Sequence, residues 1–152
     1  MNTQAQIKQV YERWHEMIVN RNLDGLMELY AEDCVLESSA VLVLEKNSTG
    51  VLKGRDLVRN HFAAFFDEMM AKDAAVELYR PSTYFSDGSS LVWEYPSKSP
   101  KGNQLDVVES MDLKDGLIAY HRVYWGWIGF KALQAVANRS SKREHASLVD
   151  IR

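Results

Sequence analysis

The sequence predicts a single α+β domain in which helices come first and antiparallel strands follow, so that the helices cover one face of a curved sheet. Three observations carry this. Apolar residues recur at helical steps up to Met69, the period changes to alternation beyond Ala74, and Gly-containing turns punctuate the alternating part.

Between Thr3 and Val19, the residues Ile7, Val10, Tyr11, Trp14, Met17 and Ile18 return every three or four positions, which predicts an amphipathic first helix. Asn22 or Asp24 can cap a shorter second helix through Leu26, Leu29 and Tyr30, with Gly25 in its first turn. Residues 35–44 are rich in Val and Leu and precede the polar, Gly-containing stretch 45–50, so they read as a strand followed by a loop. Gly54 introduces a third helix whose Leu57, Val58, His61, Phe62, Phe65, Phe66 and Met69 form a broad buried stripe.

Strands are predicted over 76–79, 83–85, 90–95, 104–113 and 117–127. Their connections are a turn at 86–89, a longer loop at 96–103 and a three-residue hairpin loop, Lys114-Asp115-Gly116. Phe130, Leu133 and Val136 then suggest a short helix, and the charged, Ser-rich end has too little apolar surface to order itself. The predicted domain is therefore 1–137. Residues 138–152 are expected to be a charged flexible tail, mobile or docked on a partner subunit.

Composition narrows the function. A chain of 152 residues with 46% hydrophobic and 26% charged residues is long enough and apolar enough to build one core. A net charge of −3 and no Lys/Arg-rich block remove the electrostatic footprint of a nucleic-acid binder. No basic segment leads into an apolar one at the start, and no stretch has the apolar length of a membrane span, so neither secretion nor a membrane partner is expected and a cytoplasmic location is. The single cysteine, Cys34, has no partner for an intrachain disulfide and lies in an apolar run, where a buried small hydrophobe is expected.

His15, His61, His121 and His145 stand far apart, without a His-x-x-x-His helix pair or a Cys-x-x-Cys, so no metal is expected. Neither a phosphate-binding Gly loop nor a Gly-x-Ser-x-Gly elbow is present, and no cofactor is expected.

The sheet is where chemistry concentrates. Alternation puts Leu105, Val107, Glu109, Met111 and Leu113 on one face, leaving Glu109 as the one carboxylate among apolar neighbours. Counting back from a three-residue hairpin loop sets Glu109 opposite His121, Val107 opposite Val123 and Leu105 opposite Trp125; a two-residue loop sets Glu109 opposite Tyr120 or Arg122. Directly opposed residues lie close enough to share a proton, and Glu109 with His121 is the candidate catalytic pair. The same two residues also fit an ordinary ion pair. Trp93 and Tyr95 share the inward face of their strand with Leu91, and His61 beside Phe62 can reach the same space.

The segment from Asn22 to Val35, with its Leu29-Tyr30-Ala31-Glu32-Asp33 phrase, the helix opening Gly54-Arg55-Asp56 and the hairpin Asp115-Gly116 together resemble the nuclear transport factor 2-like superfamily over residues 5–128. Ketosteroid isomerase, the SnoaL-like polyketide cyclases and limonene epoxide hydrolase are among its members. The resemblance implies a cone of three helices on a curved, mostly antiparallel sheet, a pocket at the wide end, and a homodimer formed through the outer sheet face, here the face of Val108, Tyr120 and Tyr124.

Carried over by position, the isomerase's oxyanion tyrosine falls at Trp14, its supporting tyrosine at Phe62, its general base at Ser38 beside Glu37, and its protonated acid at Glu109. Only Glu109 keeps a carboxyl group, and an indole cannot lend a proton as a phenol does. A SnoaL-like site needs one base in an apolar pocket, a part open to Glu109 or His121.

These readings converge on a protein that binds a small hydrophobic molecule. It is expected to be a cofactor-free isomerase, cyclase or hydrolase with Glu109 and His121 catalytic. The expected substrate contacts are Trp14, Tyr30, Glu37, Ser38, His61, Phe62, Trp93, Tyr95 and Trp125. A noncatalytic carrier or sensor is the alternative, as is a dimerisation module with a vestigial, closed pocket. Two ionisable groups meeting within hydrogen-bond distance in an open cavity separate the first reading from the others.

Overall fold

The first helix begins where the sequence supplies a cap. Thr3 accepts from the Gln6 N–H, and the Gln6 side chain accepts from the Thr3 N–H, a reciprocal arrangement that satisfies two otherwise unpaired donors. The computed structural model describes residues 1–47, 49–68, 83–99 and 102–149. In chain order the elements are α1 (Gln4–Val19), α2 (Leu23–Met27), β1 (Tyr30–Ser38), α3 (Ser39–Leu44), β2 (Val51–Lys53), α4 (Arg55–Glu68), β3 (Phe85–Ser86), β4 (Ser90–Tyr95), β5 (Lys98–Ser99), β6 (Gly102–Asn103), β7 (Val107–Lys114), β8 (Leu117–Trp125) and α5 (Trp127–Val149).

Six strands form one sheet in the order β2-β1-β8-β7-β4-β3, antiparallel throughout except where β1 runs parallel to β8; β5 and β6 make a separate small hairpin. The buried faces of α1 (Ile7, Val10, Trp14, Ile18) and α4 (Val58, Phe62, Phe66) join Leu36, Leu91, Trp93 and Met111 of the sheet in one core. Each such side chain contributes about 1.5–3 kcal/mol by leaving water. Asn22 caps α2 by accepting from the Gly25 N–H, and a Cβ at Gly25 would stand 2.3 Å from the Met17 sulfur, so a larger residue there would displace that buried side chain. Among the described residues, no helix is long and apolar enough to cross a membrane.

The structure departs from the expected elements in several places. Residues 35–44 are not one strand: β1 starts earlier, at Tyr30, and ends at Ser38, whose hydroxyl accepts from the Ala40 N–H and starts α3. A short apolar run has no period of its own to separate strand from helix, and here the capping serine decides. Four helices therefore precede β3, not three, and Tyr30 belongs to the sheet rather than to the end of α2. The expected strand at 76–79 lies outside the described residues. Finally, α5 is not short but continues through most of 138–152 to Val149, a stretch with neither Gly nor Pro to end it.

The hairpin between β7 and β8 is the most instructive departure. Its loop has two residues, Asp115 (φ 52°) and Gly116 (φ 78°), both in the left-handed conformation of a type I′ turn. A bulge then leaves Ala119 unpaired, since Leu113 faces Ile118 and Asp112 faces Tyr120. Glu109 is consequently opposite Val123, and His121 is opposite Met111. The shift from the three-residue count is two residues. Every side chain keeps its expected face, and His121 becomes the diagonal neighbour of Glu109 rather than its direct partner.

The outer face carries a polar cluster. Arg122 pairs with Asp112 at 2.7 Å and lies over the Tyr120 ring, whose hydroxyl donates to Glu37 at 3.0 Å; Tyr124 is more than half exposed.

Candidate functional site

The inward residues of the sheet and the facing sides of α1, α3 and α4 do not meet completely. They leave a partly open pocket, with about 520 Å³ of space between and in front of its walls, open solvent included. Its walls are mostly rings and aliphatic chains: Trp14, Ile18, Leu36, Phe62, Phe65, Tyr95, Val107, Val123 and Trp125, with Ala40 and Leu105. Four polar side chains reach it besides Tyr95, namely Ser38, His61, Glu109 and His121. Near the mouth, Leu133 and Val136 of α5 pack with Ala40, Phe65, Leu105 and Trp125, so the C-terminal helix braces residues of the pocket wall.

Glu109 and His121 meet at 2.6 Å, with the histidine fully buried and the carboxylate nearly so. Behind them the bonds continue inward. His121 Nδ1 lies 2.8 Å from the Tyr30 hydroxyl, which also takes the Trp14 indole N–H at 3.2 Å. The direction of this chain follows from its end. An indole N–H can only donate, so the Tyr30 oxygen accepts, and the buried phenol proton has no acceptor among the described residues other than His121 Nδ1. Burial pushes the Tyr30 phenol well above its usual range, so that proton stays in place. His121 therefore carries its own proton on Nε2 and donates it to Oε2 of Glu109. Oε1 of Glu109 has no hydrogen-bond partner among the described residues.

Two other polar groups have defined surroundings. Tyr95 lies 2.6 Å from Nε2 of His15, and, since a carbonyl only accepts, Nδ1 of His15 donates to the Tyr11 carbonyl at 2.6 Å. Ser38 accepts from the Trp125 indole at 3.0 Å as well as capping α3, so its hydroxyl is taken up in joining strand to helix.

His61 on α4 is buried, and its Nδ1 stands 3.6 Å from Oε1 of Glu45. Desolvation first, and the neighbouring His121 second, push its pKa down to about 4, so the ring is neutral at pH 7. Cys34 is buried and its thiol is pushed up to about 11, chiefly by desolvation, which suits packing and not nucleophilic attack.

Of the residues expected from sequence, the structure gathers Trp14, Ser38, His61, Phe62, Tyr95, Trp125, Glu109 and His121 around one pocket. Three do not line it. Glu37 follows the alternation of β1 to the outer face, where it accepts from Tyr120. Trp93 packs edge-on behind Trp14, ring centroids 5.3 Å apart, as part of the core. Tyr30 stands behind His121 and acts on the pocket through it. Sequence reasoning missed Glu45 because it read that segment as a loop, and it set His15 aside although His15 is one helical turn from Tyr11, whose carbonyl it uses. Among the described residues, no group of three or more His, Cys, Asp or Glu side chains stands where it could hold a metal ion.

The SnoaL-like domain matches residues 11–121 of the chain. No curated protein matches it. Among solved structures, a SnoaL-like protein of unknown function from Burkholderia thailandensis E264 shares 17% identity, with 82% of this chain and 98% of that one covered at a TM-score of 0.63. An NTF2-like protein of unknown function from Burkholderia xenovorans LB400 is 15% identical, with 81% and 84% covered and a TM-score of 0.58. TerC, co-crystallised with polyporic acid, is 16% identical, with 84% and 97% covered and a TM-score of 0.58. At these identities the likeness is one of fold.

Proposed function

We propose, for a chain that belongs to the SnoaL-like domain family within the NTF2-like superfamily, that its pocket binds a flat hydrophobic molecule and moves a proton on it without a cofactor, with Glu109 as the base. The observation that carries this reading is the Trp14–Tyr30–His121–Glu109 chain of hydrogen bonds, which holds one carboxylate oxygen and leaves the other unpaired in an apolar pocket.

Each part has a function in such a step. Oε1 of Glu109 takes a proton from an acidic C–H or O–H of the ligand, and the electron pair stays on the ligand as an enolate or aryloxide. Returned to another carbon, the proton gives isomerisation; attack by the new carbanion on an internal carbonyl gives cyclisation. The His121 N–H fixes the carboxylate in place, since the ring is itself fixed by Tyr30. The aromatic walls keep water from competing for the proton and favour a planar ligand. TerC was crystallised with polyporic acid, and a related choice of ligand suits this pocket.

The protein is further proposed to act as a homodimer joined through the outer face of Val108, Tyr120 and Tyr124. The cytoplasm is the proposed location, where the free Cys34 thiol is stable.

Exchange of the α-hydrogens of 2-tetralone for deuterium in D2O tests the central step without knowledge of the natural substrate. Wild-type protein is expected to accelerate exchange over buffer, and Glu109→Gln to lower that acceleration by about 10²-fold or more, the usual weight of a general base. Equal acceleration by both proteins, or none by the wild type, contradicts the reading.

A further inference from the structure

The pocket has a second polar corner that the Glu109 step leaves unused. His61 is buried on α4, its side chain 5% exposed, and lines the cavity. Its Nδ1 faces Oε1 of Glu45, the C-cap residue of α3, across 3.6 Å. Both atoms are sealed from solvent, and neither has a hydrogen-bond partner among the described residues. Leaving a buried polar atom unpaired costs about 1–3 kcal/mol. Two such atoms aimed at one another, just beyond bonding range, gain by closing the gap. The other ring nitrogen, Nε2, also has no partner among the described residues, yet it is not sealed off as Nδ1 is.

We propose that His61 and Glu45 form a second proton-transferring dyad of this pocket, in which Nε2 of His61 meets an acidic hydroxyl of a flat hydroxyaryl or enolised ligand and Glu45 positions the ring through Nδ1. His61 touches the ligand and is the catalytic member; Glu45 is a positioning residue. The ligand's O–H proton passes to Nε2, the electron pair remains on the ligand oxygen, and the imidazolium that forms is held by the Glu45 carboxylate. The same proton returns to the ligand before release, so nothing else is consumed.

Geometry of this kind is loose without ligand and tightens as charge develops. The neutral state that burial imposes on His61 keeps Nε2 free to accept. A ligand touching both Glu109 and His61 is gripped by two proton-handling groups, which allows a proton to leave one position and return at another that a single carboxylate does not reach.

The dyad rests on the pocket reading for its ligand, but its first test needs no ligand and does not involve Glu109. Nitrogen-15 correlation spectra of the histidine rings report which nitrogen carries the proton. Pairing with Glu45 requires His61 to be the Nδ1–H tautomer, the form free histidine disfavours. Glu45→Ala is expected to return it to Nε2–H, and Glu45→Gln, whose amide oxygen still accepts, to keep Nδ1–H. Glu45 is partly exposed, so both variants are expected to fold.

In a second arm, the affinity for 2,6-dihydroxynaphthalene, which has one hydroxyl for each corner, is expected to fall about tenfold in His61→Phe and in Glu45→Ala, the loss of one hydrogen bond. An Nε2–H His61 in the wild type, a tautomer indifferent to Glu45→Ala, or a 2,6-dihydroxynaphthalene affinity unchanged in both variants overturns the dyad. Failure of 2-tetralone exchange overturns the Glu109 step instead and leaves the tautomer result standing.

Discussion

The two polar corners of the pocket use the same residue types, a histidine and a glutamate, and differ in what stands behind them. At Glu109 the histidine is backed by Tyr30 and Trp14, every donor points one way, and the pair is closed at 2.6 Å. At Glu45, among the described residues, nothing backs the pair, the gap is 3.6 Å, and two buried atoms are unpaired. The difference teaches that burial alone does not define a site. A closed network holds its groups at bonding distance in advance, whereas an open one has a gap left to close.

The comparison can be broken by acidity. His61 is held near pKa 4 when folded against an ordinary value of 6.5. The unfolded chain therefore binds the extra proton first, and stability is full above about pH 6.5 and falls as the pH drops toward 4, by about 3 kcal/mol if His61 acts alone. Urea unfolding of wild type and His61→Phe across that range measures the effect. The variant is expected to lose much less stability, and parallel profiles count against a His61 kept neutral by burial.

Next in size is the closed corner. Tyr30→Phe removes the hydroxyl that serves both the Trp14 indole and His121 Nδ1, and is expected to cost about 1–3 kcal/mol in denaturant unfolding. It should also free His121 to change tautomer, which the ring-nitrogen spectrum reads directly. A full-stability Tyr30→Phe protein with an unchanged His121 tautomer refutes the directed chain.

The smallest effect belongs to the hairpin that sets the two strands in register. Gly116 has φ 78°, and Gly116→Ala is expected to cost about 1 kcal/mol without altering the pocket. The proposed outer-face dimer is checked by native mass spectrometry, where a purely monomeric protein at micromolar concentration contradicts it.

Much of the site was legible because strand chemistry depends on parity. The count that paired Glu109 with His121 was wrong by two residues, one from the shorter loop and one from the Ala119 bulge, and two is an even number. Faces survived the error, so Glu109, His121, Val123 and Trp125 still point into one space. Parity equally separates Glu37 from Ser38: neighbours on one strand point to opposite faces, so with Ser38 inward Glu37 is outward.

What stayed hidden is what has no period. The six residues of α3 look like strand by composition, and their helical start depends on one serine hydroxyl. Glu45 falls at the end of that helix, so its approach to His61 is a tertiary accident of where α3 stops. The length of α5 was missed for a different reason. Its charged residues gave no apolar stripe, yet nothing in them terminates a helix.

The central claim is that His121 holds one oxygen of Glu109 and leaves the other as a hydrogen-bond acceptor in the pocket. In Glu109→Gln the His121 N–H still demands an acceptor and takes the amide oxygen, which turns the NH2 group toward the ligand and converts the free acceptor to a donor. The most direct measurement is therefore the affinity of wild type and Glu109→Gln for 2-naphthol, which can donate, and for 2-methoxynaphthalene, which can only accept. The account predicts that the wild type prefers the naphthol by about tenfold and that Glu109→Gln loses or reverses that preference. The same preference in both proteins would contradict it.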